Sequence, residues 1–244
     1  MTDVLAKRAV QVVNTTPKNE PLFLWFAPKA PHVPATVARR HRGDFADADT
    51  PFGGSFDKAE RKRLGSLSAA DEAVVKIADA MGTRWDSACI FVLSDNGYLL
   101  GEHDRTGKGV WWDGSVRVPM LARCPGISGA VDARLSANID VAPTIALATG
   151  LEIPAAVDGR PLQASWERER VLIEGWLEGD RFSGVKTEDA VYVEESGQPA
   201  RYYERSDAES TDRIGQINAA LWAGELAALR NCAGATCRAA DGGG

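Results

Sequence analysis

The stretch Cys89-Ile-Phe-Val-Leu-Ser-Asp-Asn-Gly97 decides how this chain is interpreted. The unbroken apolar run Cys89–Leu93 is typical of a strand buried on both faces, and it ends where polar residues and a glycine begin. In open α/β sheets ligands bind beyond the carboxyl ends of the strands, where Asp95 and Asn96 are expected to lie. Their oxygens are of the kind that Ca²⁺ or Mg²⁺ prefers. An isolated Asp-Asn-Gly is more often an Asn-Gly turn after a core strand, and it is the neighbouring motifs that favour a site.

The loop that follows carries a cation toward the same region. Lys108 stands between Gly107 and Gly109. Flanking glycines let the backbone approach a ligand closely, while the ammonium group points into the site. The sequence therefore predicts a ligand-binding lysine near a pair of oxygen donors.

The apolar patterns around this stretch alternate between helix and strand, which predicts an α/β fold with a parallel sheet. Ser68-Ala-Ala-Asp71 has the form of a capping box, so a helix is predicted to begin there. Residues Arg39–Lys58 are polar and rich in glycine, proline and aspartate, which predicts a long surface loop. The predicted elements are helix Asp3–Asn14, strand Leu22–Phe26, helix Ser68–Met81, strand Cys89–Leu93, strand Val118–Arg123 and helix Asp140–Ala148.

Beyond Pro161 the pattern changes to short apolar segments separated by turn residues, which predicts a small antiparallel sheet. A final helix is predicted over Ile214–Leu229. We therefore divide the chain into an α/β portion, residues 1–163, and a small carboxyl-terminal α+β subdomain, residues 164–244. The predicted strands of the subdomain are Val171–Ile173, Phe182–Lys186, Val191–Glu194 and Arg201–Glu204.

Composition limits the classes of partner. The net charge of the 244-residue chain is 28 − 34 = −6, which does not favour a nucleic-acid partner. No apolar stretch approaches the roughly 20 residues of a membrane helix, so no membrane partner is expected.

Cys89 is predicted to be a core residue. Cys232 and Cys237 are either a disulfide, as in exported proteins, or two free thiols.

Five motifs occur in fixed order: Ala27-Pro-Lys-Ala-Pro-His-Val-Pro34, Ser94-Asp-Asn-Gly97, Gly101-Glu-His103, Gly107-Lys-Gly109 and Ser115-Val-Arg-Val-Pro119. In their order and spacing they resemble the second half of the type I sulfatases, a family of the alkaline phosphatase superfamily. The tail Leu229–Arg238 is similar to the N-acetylglucosamine-6-sulfatase branch.

The resemblance implies part of an alkaline-phosphatase-like mixed sheet flanked by helices, followed by a small antiparallel sheet with a terminal helix. It implies metal-dependent hydrolysis of a sulfate ester, either a sulfated sugar or an aryl sulfate. Asp95 and Asn96 would be ligands of Ca²⁺ or Mg²⁺, and Lys108 would bind the sulfate. His32 would bind the ester or protonate the leaving group. His103 would either orient these groups or form a structural hydrogen bond.

The family nucleophile is a formylglycine made in a Cys/Ser-x-Pro/Ala-x-Arg motif, and this sequence contains no such motif. The resemblance therefore implies a chain that is inactive without a missing amino-terminal half. Family habit and the pair Cys232/Cys237 point to a secreted or periplasmic protein. Two other interpretations stay open: a phosphodiesterase or phosphonate monoester hydrolase relative, and a non-catalytic remnant or binding module.

Overall fold

The computed structural model describes residues 1–49, 55–127, 129–176 and 181–242. The chain divides into two compact units, Met1–Ala88 and Cys89–Gly244. The boundary predicted between residues 163 and 164 stays a prediction. No helix in these ranges is both long enough and apolar enough to cross a membrane.

The amino-terminal unit is built on two helices, α1 (Thr2–Thr15) and α2 (Ser55–Met81). Small apolar side chains, which allow close helix packing, are buried on both: Ala6, Ala9 and Val13 on α1, and Ala69 and Ala73 on α2. Arg40 in the short 3₁₀ helix Arg39–His41 donates to Asp3 and Glu72, joining the segment to both helices. Hydrogen bonds from Arg40 lower the pKa of Glu72 to about 2.

Two predictions for this unit are wrong. Residues Leu22–Phe26 form no strand, because no hydrogen-bonded neighbour lies beside them among the described residues, and Phe23 and Trp25 are exposed. Helix α2 begins at Ser55, inside the predicted loop Arg39–Lys58, so the capping box at Ser68–Asp71 lies in the helix interior. Residues 50–54 of the predicted loop lie outside the described part of the chain.

The carboxyl-terminal unit begins with a two-stranded sheet. Strand β1 (Ile90–Leu93) is followed by the short hairpin β2 (Leu99–Leu100) and β3 (Thr106–Gly107), the one-turn helix α3 (Asp113–Val116), and strand β4 (Met120–Arg123). Strand β4 pairs with β1, and the strands run in opposite directions. Helix α4 (Val141–Ala148) then ends at Thr149, next to Gly150 with its positive φ of 71°.

Two predictions about β1 are therefore wrong. The observed pairing is antiparallel rather than parallel, and β1 is not buried on both faces, because Val92 and Leu93 remain 44% and 38% exposed. A single neighbouring strand covers too little of β1 to bury these side chains. Cys89 is not a free core cysteine but forms a disulfide with Cys124, which follows β4. A second disulfide joins Cys232 to Cys237, the pair left open from the sequence.

A four-stranded antiparallel sheet follows, as predicted, with the strands in chain order. One face of the sheet packs on helix α5 (Ala219–Arg230), where Leu226 and Leu229 meet Val185 and Tyr192. The helix predicted over Ile214–Leu229 begins later, at Ala219, because the Asn218 side chain caps it by accepting from the amide of Leu221 at 3.3 Å. The elements are β5 (Val171–Gly175), β6 (Phe182–Lys186), β7 (Ala190–Glu195), β8 (Arg201–Glu204), α5 (Ala219–Arg230) and α6 (Ala235–Ala240).

A buried ion-pair network fastens the tail of this unit. Asp140 lies just before α4, but its side chain does not cap the helix and accepts two hydrogen bonds from Arg168, at 2.7 and 2.8 Å. Arg168 also donates to Asp241 after α6, at 2.9 Å, and Arg160 donates to the same carboxylate at 2.6 Å. Burial opposes the charge of Arg168, but its bonds to Asp140 and Asp241 outweigh burial and raise its pKa.

Candidate active site

The site is centred on the turn Ser94–Gly97, which follows β1. The Ser94 hydroxyl donates to the carbonyl of Asn96 at 2.7 Å, and the amide of Asn96 donates to Asp95 Oδ1 at 3.0 Å. These local bonds turn the chain away from the strand and leave the Asp95 side chain exposed, while Asn96 is half-buried. The turn therefore presents a carboxylate and an amide oxygen beside solvent.

Lys108 reaches this turn from the loop that follows β3. Its Nζ donates to Asn96 Oδ1 at 2.8 Å, and Asn96 Nδ2 donates to the carbonyl of Gly97 at 2.7 Å. The second bond fixes which side of the Asn96 amide faces Lys108. The structure thus brings Asn96 and Lys108 together next to Asp95, while the chemical roles assigned to these residues remain predictions.

Gly97 is needed because two backbone segments touch at this point. A Cβ added at Gly97 would lie 2.2 Å from the carbonyl oxygen of Gly114, far inside van der Waals contact. The amide of Gly97 also donates to the carbonyl of Ser115 at 2.9 Å. The turn after β1 is therefore seated directly on α3.

We expect Gly97→Ala to lower the free energy of unfolding by about 1–3 kcal/mol, the usual cost of forcing atoms into a packed site. The urea midpoint measures this loss. Gly129→Ala is the matched control, because a Cβ at Gly129 meets no heavy atom within 4 Å. Equal midpoints for the two variants would contradict the close contact at Gly97.

His103 lies between β2 and β3, before the Lys108 loop, and contacts a different residue. Its ring stacks on Trp112, with centroids 4.5 Å apart and planes 14° from parallel, and its φ is +56°. Arg105 lies 5.1 Å from the centroid of the same indole. Within the described ranges no hydrogen bond joins His103 to Lys108 or Asp95. The proposed orienting role of His103 stays a prediction.

His32 belongs to the amino-terminal unit and is described within it. In the turn from Ala30 to Pro34, two residues lie between the cis prolines Pro31 and Pro34, and the His32 side chain is exposed there. Its Nδ1 lies 2.8 Å from the carbonyl oxygen of Val33, and its backbone amide donates to Lys29 at 2.8 Å. The turn holds the histidine outward, and its predicted role toward a sulfate ester stays a prediction.

The oxygens at the turn match part of a metal shell. Ca²⁺ takes roughly 6–8 oxygen ligands. Asp95 and Asn96 offer two side chains, and Asn96 Oδ1 already accepts from the Lys108 ammonium. No group of three or more His, Cys, Asp or Glu side chains able to hold a metal occurs in the described ranges. These residues therefore do not by themselves complete a metal centre.

The carboxyl-terminal sheet braces the Lys108 loop, which sequence reasoning missed. Lys186 on β6 forms ion pairs with Asp113 at the start of α3 and with Glu209, whose Oε2 accepts from the Asp113 amide at 2.8 Å. Trp111, fully buried, stacks on Tyr203 of β8 with ring centroids 4.6 Å apart. In the sequence, only the pair Trp111-Trp112 indicates that the Lys108 loop packs on another part of the chain. The residues that it contacts lie far along the sequence.

A family model for sulfatases matches residues 1–151 of the chain. The chain belongs to the sulfatase family. The human N-acetylglucosamine-6-sulfatase is a sulfatase relative with 28% identity over 218 residues, covering 73% of this chain and 39% of the relative. The chain thus spans less than half the length of that curated relative.

Solved structures share the sulfatase fold of this chain. One is of BT4656 in complex with its substrate D-glucosamine-2-N,6-O-disulfate, at a TM-score of 0.80 and 18% identity, covering 93% of this chain and 68% of that chain. Another is the phosphonate monoester hydrolase of Agrobacterium radiobacter, at a TM-score of 0.64 and 23% identity, covering 72% of this chain and 42% of that chain. At these identities the likeness concerns the fold alone. The predicted α/β class with an added antiparallel sheet is confirmed.

Proposed function

We propose that this chain supplies part of the active site of a sulfatase that hydrolyses the sulfate ester of a sugar. The observation that carries the proposal is the contact between Lys108 Nζ and Asn96 Oδ1, beside the exposed Asp95, at the end of β1. It joins an ammonium to one oxygen donor, with the Asp95 carboxylate on the neighbouring residue, at a position where α/β proteins bind ligands. The family relatives that act on N-acetylglucosamine sulfate support an amino-sugar substrate.

In this proposal, water is added across the ester, the bond between sulfur and the bridging oxygen breaks, and an alcohol and a sulfate ion are released. Lys108 donates to a sulfate oxygen, so that its fixed charge meets the negative charge that develops as the bond breaks. His32 gives a proton to the leaving oxygen. Asp95 and Asn96 would contribute two ligands to Ca²⁺ or Mg²⁺, which would supply further positive charge when bound.

We propose further that turnover needs groups that this sequence does not contain. No Cys/Ser-x-Pro/Ala-x-Arg motif is present for a formylglycine nucleophile, and the two proposed metal ligands fall short of a full shell. An amino-terminal sulfatase half is the partner that would supply both. The two disulfides favour an oxidising compartment, so we infer secretion or residence in the periplasm or a lysosome.

The test is an assay with an aryl sulfate and with glucosamine 6-sulfate. We expect no turnover by the chain alone. Turnover is expected when it is combined with the amino-terminal portion of a sulfatase that carries a formylglycine motif. Lys108→Ala should lower that rate by about 10²–10³-fold, the usual effect of removing one oxyanion-stabilising group. Chelation of divalent ions should abolish it.

Lys76→Ala is the matched control, because Lys76 is an exposed lysine on α2 and should leave the rate unchanged. Full activity of Lys108→Ala would refute the role of Lys108. Faster hydrolysis of an aryl phosphate diester than of the aryl sulfate would favour the phosphodiesterase alternative. Tight binding of a sulfated sugar without turnover in the combined protein would favour a binding module.

A further inference from the structure

We propose that Ser115 is a positioning residue for Lys108: it holds the lysine loop and the Asp95–Gly97 turn on one anchor, so that the ammonium meets Asn96. The inference rests on the proposed role of Lys108, but the position of the Lys108 side chain can be tested without measuring turnover. Ser115 is 4% exposed, lies in α3, and touches neither Lys108 Nζ nor Asn96 through its own side chain.

The Ser115 hydroxyl holds the chain immediately after the lysine. Its Oγ accepts from the amide of Gly109 at 3.0 Å and from the amide of Val110 at 3.3 Å. Both donors are backbone groups of a half-buried loop. An unpaired buried N–H group is costly, so the loop stays where the hydroxyl can accept from it. The hydroxyl thereby fixes the point from which the Lys108 side chain extends.

The backbone of Ser115 holds the other half of the site. Its carbonyl accepts from the amide of Gly97 at 2.9 Å, and its own amide donates to the carbonyl of Trp112 at 2.8 Å. One buried residue thus contacts the segment after Lys108 through its side chain and the segment after Asn96 through its carbonyl. Ser115 therefore helps to set the separation between the two segments, together with the β2–β3 pairing of Leu99 with Gly107.

Ser115 is itself held in place by contacts that lie outside the site formed by Asp95, Asn96 and Lys108. Asp113, two positions before Ser115, donates its amide to Glu209, and its carboxylate pairs with Lys186. These contacts do not involve Lys108, Asn96 or Asp95. Substitution of the Ser115 hydroxyl should therefore release the lysine loop while α3 and the Gly97 contact remain.

The test is the rate at which acetic anhydride modifies individual lysines of the folded chain, read by mass spectrometry. The unit Cys89–Gly244 contains two lysines, Lys108 and Lys186. In Ser115→Ala we expect Lys108 to be modified about tenfold faster, since a lost hydrogen bond shifts a local opening equilibrium by up to about that factor. The buried Lys186 should keep its wild-type rate, which separates local release from unfolding of the unit.

Ser66→Ala is the matched control, because Ser66 is a buried serine of α2 whose hydroxyl donates to the carbonyl of Arg63. It should leave the Lys108 rate unchanged. A wild-type Lys108 rate in Ser115→Ala, or a parallel rise at Lys108 and Lys186, would overturn the positioning role. Full hydrolytic activity of Lys108→Ala would instead refute the proposed function and leave the labelling result intact, so the two failures are distinguishable.

Discussion

Replacement of Arg168 by alanine is expected to lower the free energy of unfolding of the carboxyl-terminal unit by about 3–5 kcal/mol, the usual effect of breaking a buried ion pair on one side. The side chains of Arg168 and Asp140 are 1% and 0% exposed, and two hydrogen bonds join them. Without the guanidinium, the Asp140 carboxylate stays buried with no cation opposite it. The loss is measured by urea unfolding followed through hydrogen exchange of the β5–β8 amides.

Arg230→Ala is the control for this variant. Arg230 pairs with Glu194 at 3.0 Å, but both side chains are 36% exposed. A surface pair of this kind contributes about 0–1 kcal/mol. If Arg168→Ala cost no more than Arg230→Ala, the buried network would not be what holds Asp241 and the tail in place.

The second large effect is expected for Lys186→Ala, which should destabilise the same unit by about 3–5 kcal/mol. Lys186 is 7% exposed and faces Glu209, which is 2% exposed, together with Asp113. Removal of the ammonium leaves two carboxylates near each other, of which Glu209 is buried. The near-ultraviolet circular dichroism of the Trp111–Tyr203 stack should weaken as well, because this stack also joins the segment before α3 to the carboxyl-terminal sheet.

Lys76→Ala is the matched control, since its ion pair with Glu72 at 3.1 Å involves a lysine that is 54% exposed. It should change stability by about 0–1 kcal/mol. A Lys186→Ala variant that keeps both its urea midpoint and its aromatic dichroism would show that the sheet does not brace the lysine loop.

The sequence predicted local features well where neighbouring residues determine them. The strand Phe182–Lys186 has the predicted bounds, because turn residues on either side mark it directly. The meeting of Asn96 and Lys108 was also predicted, since both follow from a strand end and a glycine-flanked lysine. The start of α2 was missed because Gly65 interrupts its pattern. A Cβ at Gly65 would lie only 3.2 Å from the side chain of Val37, which accounts for a glycine there.

Features that depend on distant partners were not predictable. The direction of the strand paired with β1 is decided by which segment returns to it, and an apolar run carries no information on this point. Cys89 was assigned to the core because it lies in an apolar run, and its disulfide partner Cys124 is 35 positions away. Ser115 was identified only as part of a motif that resembles the sulfatases. Nothing in the sequence indicated that Glu209 contacts Asp113.

The bonds around Lys108 differ greatly in the length of chain that they close. Asn96 and Lys108 are 12 positions apart, and Gly109 and Ser115 are 6 apart, whereas Asp113 and Glu209 are 96 apart. Loop-closure entropy grows with the logarithm of length, so the eightfold longer span from Asp113 to Glu209 costs about 2 kcal/mol more than the Asn96–Lys108 span. The closure between Asp113 and Glu209 is therefore the most costly of the three, whereas the Asn96–Lys108 and Gly109–Ser115 bonds each close a short loop at a smaller cost in entropy.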